Sequence, residues 1–455
     1  MKDTRIDEGK RGGGAERMSS LRFGLMLTVL GLGYWLVMML RQSLVVVSNE
    51  IVTELNMDAA DLGILGAVML YSYAAMQIPG GILADRLGAR RIITVSLVLT
   101  AGATLFFGMS QSLPQAVAAR AVSGVGVAMI YVPALTAIRE GCSAEAFPLM
   151  TSLLFLFGNF GTICSKTPLA VLVESVGWRY THTILAICGF AFAVLTWMMV
   201  PEKPKRQKGR LDPGIGSASG SGSGARAGHP SAVAGAGSGK QSPWAIIRSG
   251  QFLSLMLWFF VISGTISGAE SLWDMTYLRD VQGLPYLQAV SIMTWAGIVA
   301  TVTGPLVGAL AKRRSALMFS STSYLRAALF LIYAFLPAGL GFGTTAFWFV
   351  TKGLTMSCFP LAFAQVRKII PAEINGTLLG VSNMVAFLGG ALFTQGIGLA
   401  VNTAEGVAFQ SIFTRIFLIF GISIFLVTTF VCFTNFRRQK SWSPDLATEQ
   451  AVERA

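Results

Sequence analysis

Residues Gly81 to Arg91 read GILADRLGARR, a short charged stretch between two long apolar segments. The stretch carries one carboxylate, at Asp85, and guanidinium groups at Arg86, Arg90 and Arg91. Charged side chains are costly in hydrocarbon, so a stretch this short and this polar does not cross a bilayer. The chain therefore turns back here, and the apolar segments on either side are predicted to be helices that cross a membrane.

The composition of the whole chain also indicates a membrane protein. Hydrophobic residues make up 53% of the 455 residues and charged residues only 13%, whereas roughly a quarter of a soluble domain is charged. Apolar runs of about 20 residues recur between short polar breaks, and this length fits a bilayer core of roughly 30 Å at 1.5 Å rise per residue. A large soluble protein with buried helices is the alternative, and apolar runs of this length argue against it.

Twelve apolar segments are predicted, in two sets of six around a long polar stretch. They cover residues 22–48, 61–83, 92–110, 115–139, 147–174 and 179–200, then 250–277, 287–311, 317–337, 344–367, 375–400 and 409–435. The predicted organisation is a tail at 1–21, a six-helix bundle at 22–200, a linker at 201–249, a second six-helix bundle at 250–435 and a tail at 436–455. The linker is basic and rich in Gly and Ser, a composition typical of a flexible coil.

The distribution of Lys and Arg predicts the orientation of the chain. Of 35 such residues, 27 fall in tails and loops on the side of the N-terminus, and two, Arg179 and Arg279, fall on the other side. The positive-inside rule then places both termini in the cytoplasm. The same distribution accounts for the net charge of +13 without a nucleic-acid partner. The first apolar segment is too long for a signal peptide, so it is predicted to remain as the first helix.

Other chemistry has little support in the sequence. The five Cys and two His residues have no metal-binding spacing and suggest no disulfide framework. Neither a Walker loop nor the glycine pattern of a dinucleotide-binding fold occurs. The sequence therefore predicts a protein that is not an enzyme and has no cofactor and no metal site.

The two predicted bundles resemble each other at a nearly constant offset. Ser143-Ala-Glu145 aligns with Pro371-Ala-Glu373, and Gly126 aligns with Gly353. Gly81 aligns with Gly308 in the same way, which puts Lys312 at the position of Asp85. A constant offset over several helix pairs predicts two parallel repeats with a binding site between them near the middle of the membrane.

The opening stretch resembles the loop between the second and third helices of major facilitator superfamily transporters. That loop has a Gly, then Asp-Arg, then a Gly and a basic pair, which here are Gly81, Asp85, Arg86, Gly88, Arg90 and Arg91. A second family pattern is matched by Arg120, Gly124 and Gly126. The resemblance implies an all-α membrane fold of twelve transmembrane helices in two pseudo-symmetric six-helix halves, which works by alternating access.

The resemblance also implies a conformational role for the opening stretch. In the family, this loop is thought to bridge helices on the cytoplasmic side, and a carboxylate such as Asp85 is favoured near a helix N-terminus. The candidate N-terminus is that of the eleventh helix, around Asn375 and Gly376. The alternative is that the basic residues only fix the topology.

Arg41 is the main candidate for binding a substrate. It lies in the outer third of the predicted first helix, two turns beyond Tyr34, and an intramembrane charge indicates a functional site. The pattern Gly33-Tyr34 with Arg41-Gln-Ser is similar to the first helix of organophosphate antiporters and, more loosely, of anion:cation symporters, in which a first-helix Arg meets the anionic group of the substrate. A guanidinium donates two parallel hydrogen bonds to a carboxylate or phosphate. The second Arg of the organophosphate members, in helix seven, has no counterpart here.

Further candidates follow from the family's arrangement, in which helices one, four, seven and ten line the cavity. The predicted substrate-binding residues are Tyr34, Arg41, Arg120, Asn159, Lys166 and Lys352. Arg120 has the alternative of extending toward the membrane surface, and Lys166 and Lys352 have the alternative of a buried salt bridge. Arg326, in helix nine, is predicted to be structural.

Glu270 and Asp274 are the main acids within the predicted helices. Their spacing puts them on one face of helix seven. Each is a candidate proton carrier, or the counter-ion of Arg41 or Lys352. For Asp274 a position at the membrane edge is the alternative.

These observations predict a proton-coupled secondary transporter of a small organic anion, favouring a carboxylate. It is predicted to be a monomer in the bilayer of a bacterial inner membrane. One alternative is an exporter of drug-like or siderophore-like compounds, although the fifth helix lacks the Gly-Pro-x-x-Gly-Gly run of drug–proton antiporters. Another is a non-transporting sensor or assembly protein with the same fold.

Overall fold

The computed structural model describes residues 20–143, 146–202, 246–311, 314–370, 375–403 and 408–436. Most of both predicted tails and of the predicted linker lies outside the described residues, as do Lys312 and Pro371-Ala-Glu373. The side chains of Asp85 and of residues 375–377 also lie outside them. The predicted contact of Asp85 with the eleventh helix therefore stays a prediction.

Every regular element in the described ranges is a helix, and the helices group into twelve segments, numbered here in chain order. Segments 1 to 6 are Ser20–Gln42 with Leu44–Glu54, Ala59–Ala75 with Gln77–Leu87, Ala89–Met109, Leu113–Ala128 with Tyr131–Gly141, Phe147–Cys164 with Thr167–Val176, and Trp178–Met199. Segments 7 and 8 are Gly250–Ser267 with the short turns Gly268–Trp273, Asp274–Thr276 and Tyr277–Val281, and Tyr286–Leu310. Segments 9 to 12 are Ser315–Ala334, Phe342–Gly353 with Leu354–Ser357 and Cys358–Ile369, Asn375–Asn402, and Phe409–Phe436.

The number of segments agrees with the twelve predicted. Ten helices of the described residues are long and apolar enough to cross a membrane, and two bent helix pairs bring the number to twelve. Segments 1 to 6 are called the N-terminal half below, and segments 7 to 12 the C-terminal half.

The bends in segments 2 and 5 were not predicted. The helix axis turns by 47° between Ala59–Ala75 and Gln77–Ala84, and by 46° between Leu149–Cys164 and Thr167–Val176. A proline, Pro79 or Pro168, lies just after each break. Because proline has no N–H, the carbonyl four residues earlier loses its helical hydrogen bond, and the helix bends there. The second bend places Lys166 at the junction of two helices.

Segment 1 is longer than the predicted first helix. It continues through Leu44–Glu54, so that Val37 is the midpoint of the segment. Arg41 lies about one turn beyond this midpoint. The structure thus places Arg41 nearer to the middle of the segment than the sequence indicated.

The charged turn that predicted the fold connects segments 2 and 3. Gly88 has a φ of 81°, a left-handed conformation that glycine adopts without steric cost, and it separates Leu87 from Ala89. Beyond the turn, Arg91 forms an ion pair with Glu202, and Arg90 lies 3.9 Å from the same carboxylate. The basic pair therefore joins the turn to the end of segment 6. The end of the molecule with this turn is called the basic end, and the end with Glu54 and Arg179 is called the opposite end.

The two halves meet along segments 2 and 11 and along segments 5 and 8. Near the opposite end, Gly63 and Gly398 let the backbones of segments 2 and 11 come close, since a Cβ on Gly63 would lie 3.1 Å from the Gly398 Cα. The Thr167 and Thr294 hydroxyls hydrogen bond at 2.8 Å between segments 5 and 8. Tyr286 donates a hydrogen bond of 2.9 Å to the Val46 carbonyl and joins segment 8 to segment 1. The halves are therefore in firm contact toward the opposite end.

The predicted glycine pattern in segment 4 serves helix packing. A Cβ on Gly124 would lie 2.9 Å from the Ser72 Cβ in segment 2, and one on Gly126 would lie 3.0 Å from the Ser96 carbonyl oxygen in segment 3. Small residues allow such close approach of membrane helices. Segment 4 is consequently held tightly between segments 2 and 3, which fixes the position of Arg120.

Candidate functional site

Arg41 lies between the two halves of the molecule. Its side chain is partly exposed, and its guanidinium carbon lies 5.7 Å from the centre of the Phe387 ring on segment 11. A guanidinium at this distance from an aromatic ring is attracted by the negative face of the ring. Within the described ranges Arg41 forms no ion pair with a carboxylate. Its charge is therefore not neutralised by a carboxylate of the described residues.

Aromatic side chains from three further segments lie on the same side of the molecule as this guanidinium, and one of them, Phe387, contacts it. Phe387 contacts Tyr73 of segment 2 with ring centres 4.0 Å apart. Tyr34 and Tyr131 contact each other at 5.3 Å, and Tyr34 lies within electrostatic range of Arg41, Tyr73 and Tyr131. The predicted pair Tyr34 and Arg41 thus belongs to a larger aromatic group, formed by segments 1, 2, 4 and 11.

Asn159 lies on segment 5 next to this group. The preceding residue, Gly158, packs against the Tyr34 ring so closely that a Cβ there would overlap it. The Asn159 side chain is partly exposed and has no hydrogen-bond partner among the described residues. Its amide can therefore bind a ligand that reaches the Tyr34 side of the group.

Arg120 is buried inside the N-terminal half and apart from this group. It is 6% exposed, and it lines a small cavity with Ser43, Phe107 and His182. Its Nε atom has no hydrogen-bond partner. The side chain does not extend to the membrane surface, which was the alternative to a cavity role. It faces a cavity within one bundle.

Lys166 is buried at the bend of segment 5. It is 8% exposed, and it forms no ion pair with the described carboxylates. Asp274, in the C-terminal half, lies within electrostatic range of it. Lys166 is thus a buried cation near the boundary between the halves, with an acid of the other half as its neighbour.

Glu270 of segment 7 pairs with Arg326 of segment 9. Both side chains are buried and form an ion pair, and Arg326 also donates to the Thr265 and Thr355 hydroxyls at 3.3 and 3.1 Å. A buried charge requires this kind of compensation. The pair fits the prediction that Arg326 is structural and gives Glu270 a partner other than Arg41.

Asp274 pairs with Lys352 of segment 10. The Lys352 Nζ donates to Asp274 Oδ2 at 2.5 Å, and the same ammonium lies 4.4 Å from the centre of the Phe349 ring. Asp274 is 4% exposed and therefore lies inside the helical bundle. Its Oδ1 has no hydrogen-bond partner. Of the roles predicted for Lys352, the structure shows the buried salt bridge.

The local shape of segment 7 differs from the regular helix assumed for the sequence. Gly268–Trp273 and Tyr277–Val281 are π-helical turns on either side of Asp274–Thr276. Such turns insert an extra residue and rotate the side chains that follow, and they are frequent at functional sites. Glu270 and Asp274 therefore reach partners on two different segments, Arg326 and Lys352.

Sequence reasoning missed four side chains of these sites. Tyr73, Tyr131 and Phe387 were not singled out because half-buried aromatic residues are common in apolar helices and have no periodic signal of their own. His182 was set aside as isolated, yet its ring lies 3.4 Å from the Ser43 hydroxyl and shares the cavity of Arg120. The one signal in the sequence that could have identified His182 is its position as a polar residue within a predicted membrane helix. Among the described residues no group of three His, Cys, Asp or Glu side chains is placed to hold a metal ion.

The known proteins that resemble this chain in sequence or in fold are transporters. The chain is 23% identical over 304 residues to the probable sulfoacetate transporter SauU of Cupriavidus necator, covering 67% of each chain. It is 23% identical over 389 residues to the D-galactonate transporter of Escherichia coli, covering 79% of this chain and 86% of the other. Its fold is similar to that of a bacterial homologue of the human lysosomal transporter Spinster, with a TM-score of 0.75 at 16% identity, over 94% of this chain and 100% of the other.

The family model agrees with these matches and with the fold. The model of the Major Facilitator Superfamily matches residues 30–394, a range that includes the charged turn, segments 2 to 10, parts of segments 1 and 11, and all the candidate residues described above. Twelve helical segments in two halves are the architecture expected of such a transporter. The chain belongs to the Major Facilitator Superfamily of secondary transporters.

Proposed function

We propose that this protein carries a small organic anion across the membrane by alternating access, and that the favoured anion is a carboxylate. Arg41 binds the anionic group. The observation that supports this most directly is the state of Arg41. It is a partly exposed guanidinium near the middle of segment 1, it lies between the halves, and it has no ion-pair partner among the described carboxylates. A charge that is kept unpaired inside a membrane protein has a function by default.

The relatives support the same class of substrate. Sulfoacetate and galactonate, which the names of two relatives contain, are both small organic anions. Transport by rocking of the halves would expose Arg41 to each side in turn. Asn159 and Tyr34 are the neighbouring groups that would contact the rest of the substrate.

We further propose that Asp274 carries the coupled proton. Its carboxylate is buried, it accepts from Lys352 through one oxygen only, and the other oxygen has no partner. A buried carboxylate whose bonds are incomplete gains a proton at a smaller cost than one that is fully bonded. Glu270, the other predicted proton carrier, is the second choice because its partner Arg326 donates to three groups and holds the carboxylate firmly.

The orientation belongs to the same proposal. With the basic end in the cytoplasm, both termini lie inside, and the membrane is the inner membrane of a bacterium. If the C-terminus is cytoplasmic, alkaline phosphatase fused to it should be inactive, and green fluorescent protein fused to it should be fluorescent. The reverse result contradicts the orientation.

The test of anion binding uses the purified protein and the variant Arg41→Gln. The apparent melting temperature is measured with benzoate, D-gluconate, citrate and phenylphosphonate, and with tetraphenylphosphonium as a cationic probe, at constant ionic strength. A ligand at 100 times its Kd stabilises the folded state by about 2.7 kcal/mol. We expect at least one acid to raise the melting temperature of the natural protein and of the control Arg279→Gln, and none to raise that of Arg41→Gln. Equal stabilisation of Arg41→Gln removes Arg41 from the site, and stabilisation by the cation alone favours an exporter of cationic compounds.

The test of proton coupling uses proteoliposomes and the acid identified in the binding assay. The variant Asp274→Asn is combined with Lys352→Met, so that no unpaired charge is left in the bundle. We expect this variant to exchange substrate across the membrane but not to accumulate it when a pH gradient is applied. Accumulation at the natural level excludes Asp274 as the proton carrier.

A further inference from the structure

We infer that the anion bound at Arg41 is an aromatic carboxylate, flat and apolar beyond its acid group, rather than a polyhydroxylated acid. This inference rests on the proposed function and narrows the class of substrate. It is drawn from the aromatic group next to Arg41, which is formed by side chains of segments 1, 2, 4 and 11.

The guanidinium of Arg41 faces one aromatic ring, which contacts a second. The Phe387 ring centre lies 5.7 Å from the guanidinium carbon, and the Tyr73 ring lies 4.0 Å from that of Phe387 with the ring planes inclined by 38°. Phe387 belongs to the C-terminal half and Tyr73 to the N-terminal half. A carboxylate that takes the two parallel hydrogen bonds of Arg41 would therefore have its carbon skeleton against aromatic side chains of both halves. Offset and edge-to-face contacts between such rings are favourable beyond the area that they bury.

The far end of the site carries the Tyr34 phenol, with Tyr131 and Asn159 beside it. Tyr34 lies seven residues before Arg41, which is about 10.5 Å along the helix axis, and its ring contacts that of Tyr131 at 5.3 Å. Tyr34 is 8% exposed, and its hydroxyl has no hydrogen-bond partner among the described groups. The two residues therefore lie about two turns apart on the same segment, and the space between their side chains would be occupied by the carbon skeleton of the ligand.

The amide groups between segments 2 and 11 are already occupied, whereas that of Asn159 on segment 5 has no partner among the described residues. Asn383 donates to Gln77 at 3.0 Å, and Tyr71 donates to Gln395 at 2.9 Å. Both bonds join segment 2 to segment 11. A sugar acid buries several hydroxyl groups, and each of them needs a partner in the site, since an unpaired buried hydroxyl is costly. Apart from the Asn159 amide and the tyrosine hydroxyls, the site has ring faces where such a ligand would need donors and acceptors.

The experiment compares three carboxylates that share the acid group and differ in the rest. Benzoate is flat and aromatic, cyclohexanecarboxylate has the same size without the ring electrons, and D-gluconate carries hydroxyl groups. Their dissociation constants are measured by calorimetry on the full-length protein and on Phe387→Leu, with Tyr73→Leu as a second variant. Phe425→Leu is the matched control, because Phe425 is an exposed aromatic residue of segment 12.

We expect benzoate to bind the natural protein at least tenfold more tightly than D-gluconate. Each of the two site variants should weaken benzoate about three- to tenfold, the range of an aromatic contact, and should change cyclohexanecarboxylate less than twofold. The control should bind benzoate as the natural protein does. Tighter binding of D-gluconate than of benzoate, or unchanged benzoate binding in both site variants, overturns the inference.

The same data separate this inference from the proposed function. If D-gluconate binds best and Arg41→Gln abolishes its binding, the anion site stands and the aromatic preference is wrong. If Arg41→Gln binds all three acids as the natural protein does, the proposed function itself is wrong. A variant with unchanged melting temperature in the absence of ligand is a folded protein, so a loss of affinity in it reports on the site.

Discussion

The two halves of this transporter differ in whether the cations inside their helical bundles have a carboxylate partner. In the C-terminal half, Arg326 and Lys352 are neutralised by Glu270 and Asp274 inside the bundle. In the N-terminal half, Arg41, Arg120 and Lys166 have no carboxylate partner among the described residues. The ion pairs that Arg90, Arg91 and Arg179 make lie at the two ends of the molecule instead.

This difference separates two uses of charge in a membrane protein. A paired cation holds segments together, because both charges lose their compensation when the segments part. An unpaired cation weakens the fold and is retained where an external anion or a change of state supplies its partner. The ion pairs of the C-terminal half therefore connect its segments, and under the proposed function the N-terminal half carries the charge that binds the substrate.

The largest expected effect is that of Glu270→Gln, which leaves the Arg326 guanidinium buried without a counter-charge. Removing one partner of a buried pair costs about 3–5 kcal/mol of stability, and Arg326 is fully buried. We expect a large fall in the apparent melting temperature of the purified protein. The double variant Glu270→Gln with Arg326→Met should recover most of the loss, because no charge is then stranded. A single variant as stable as the natural protein would show that the pair is not part of the scaffold.

The two buried lysines give the next test. Lys352→Met leaves Asp274 buried and unpaired, and we expect it to cost about 3 kcal/mol. Lys166→Met removes a buried cation that lacks an ion-pair partner, so we expect no loss of stability, or a small gain, in the same melting assay. Asp274→Asn together with Lys352→Met is the control that removes both charges.

The outcome for Lys166 decides how far the comparison of the halves extends. If Lys166→Met is destabilised as much as Lys352→Met, the attraction between Lys166 and Asp274 stabilises the contact between the halves as an ion pair would. Lys166 would then belong to the scaffold, and only Arg41 and Arg120 would remain as unpaired cations.

Much of the fold follows from the sequence alone. Twelve apolar runs and the charged turn at Gly81 to Arg91 predicted the segments, because apolar length and polar breaks are local properties of the chain. The bends at Met76 and Lys166 were missed, although Pro79 and Pro168 were visible. A proline in a membrane helix can be absorbed by neighbouring groups, so its effect on the helix axis depends on packing.

The pairing of charges could not be predicted from the sequence because it also depends on how the helices pack. Arg41, Glu270, Asp274 and Lys352 were all identified, but the choice of Lys352 for Asp274 depends on how segments 7 and 10 are rotated. The π-helical turns of segment 7 change that rotation and have no sequence signature that stands out. Phe387 of the C-terminal half contacts Arg41 of the N-terminal half, and a contact between distant parts of the chain cannot be predicted from a single sequence.

The smallest expected effect is that of Glu54→Gln at the opposite end of the molecule. Glu54 accepts from Arg179 Nε at 2.8 Å and from Trp178 Nε1 at 2.6 Å, and its side chain is about half exposed. A glutamine keeps an oxygen for Trp178 and removes only the charge. An exposed pair of this kind is worth roughly 0.2–1 kcal/mol, so we expect a slight fall in the melting temperature at low salt.

Salt distinguishes this pair from the buried ones. At 1 M ionic strength the Debye length is about 3 Å, and exposed charges are largely screened. The difference between Glu54→Gln and the natural protein should therefore disappear in 1 M NaCl, whereas the loss in Glu270→Gln should persist, because Arg326 and Glu270 are shielded from the solvent. If the fall in the melting temperature of Glu54→Gln persists at high salt, the N-terminal half also depends on a fixed ion pair. The halves would then differ in where their stabilising ion pairs lie, and both would contain them.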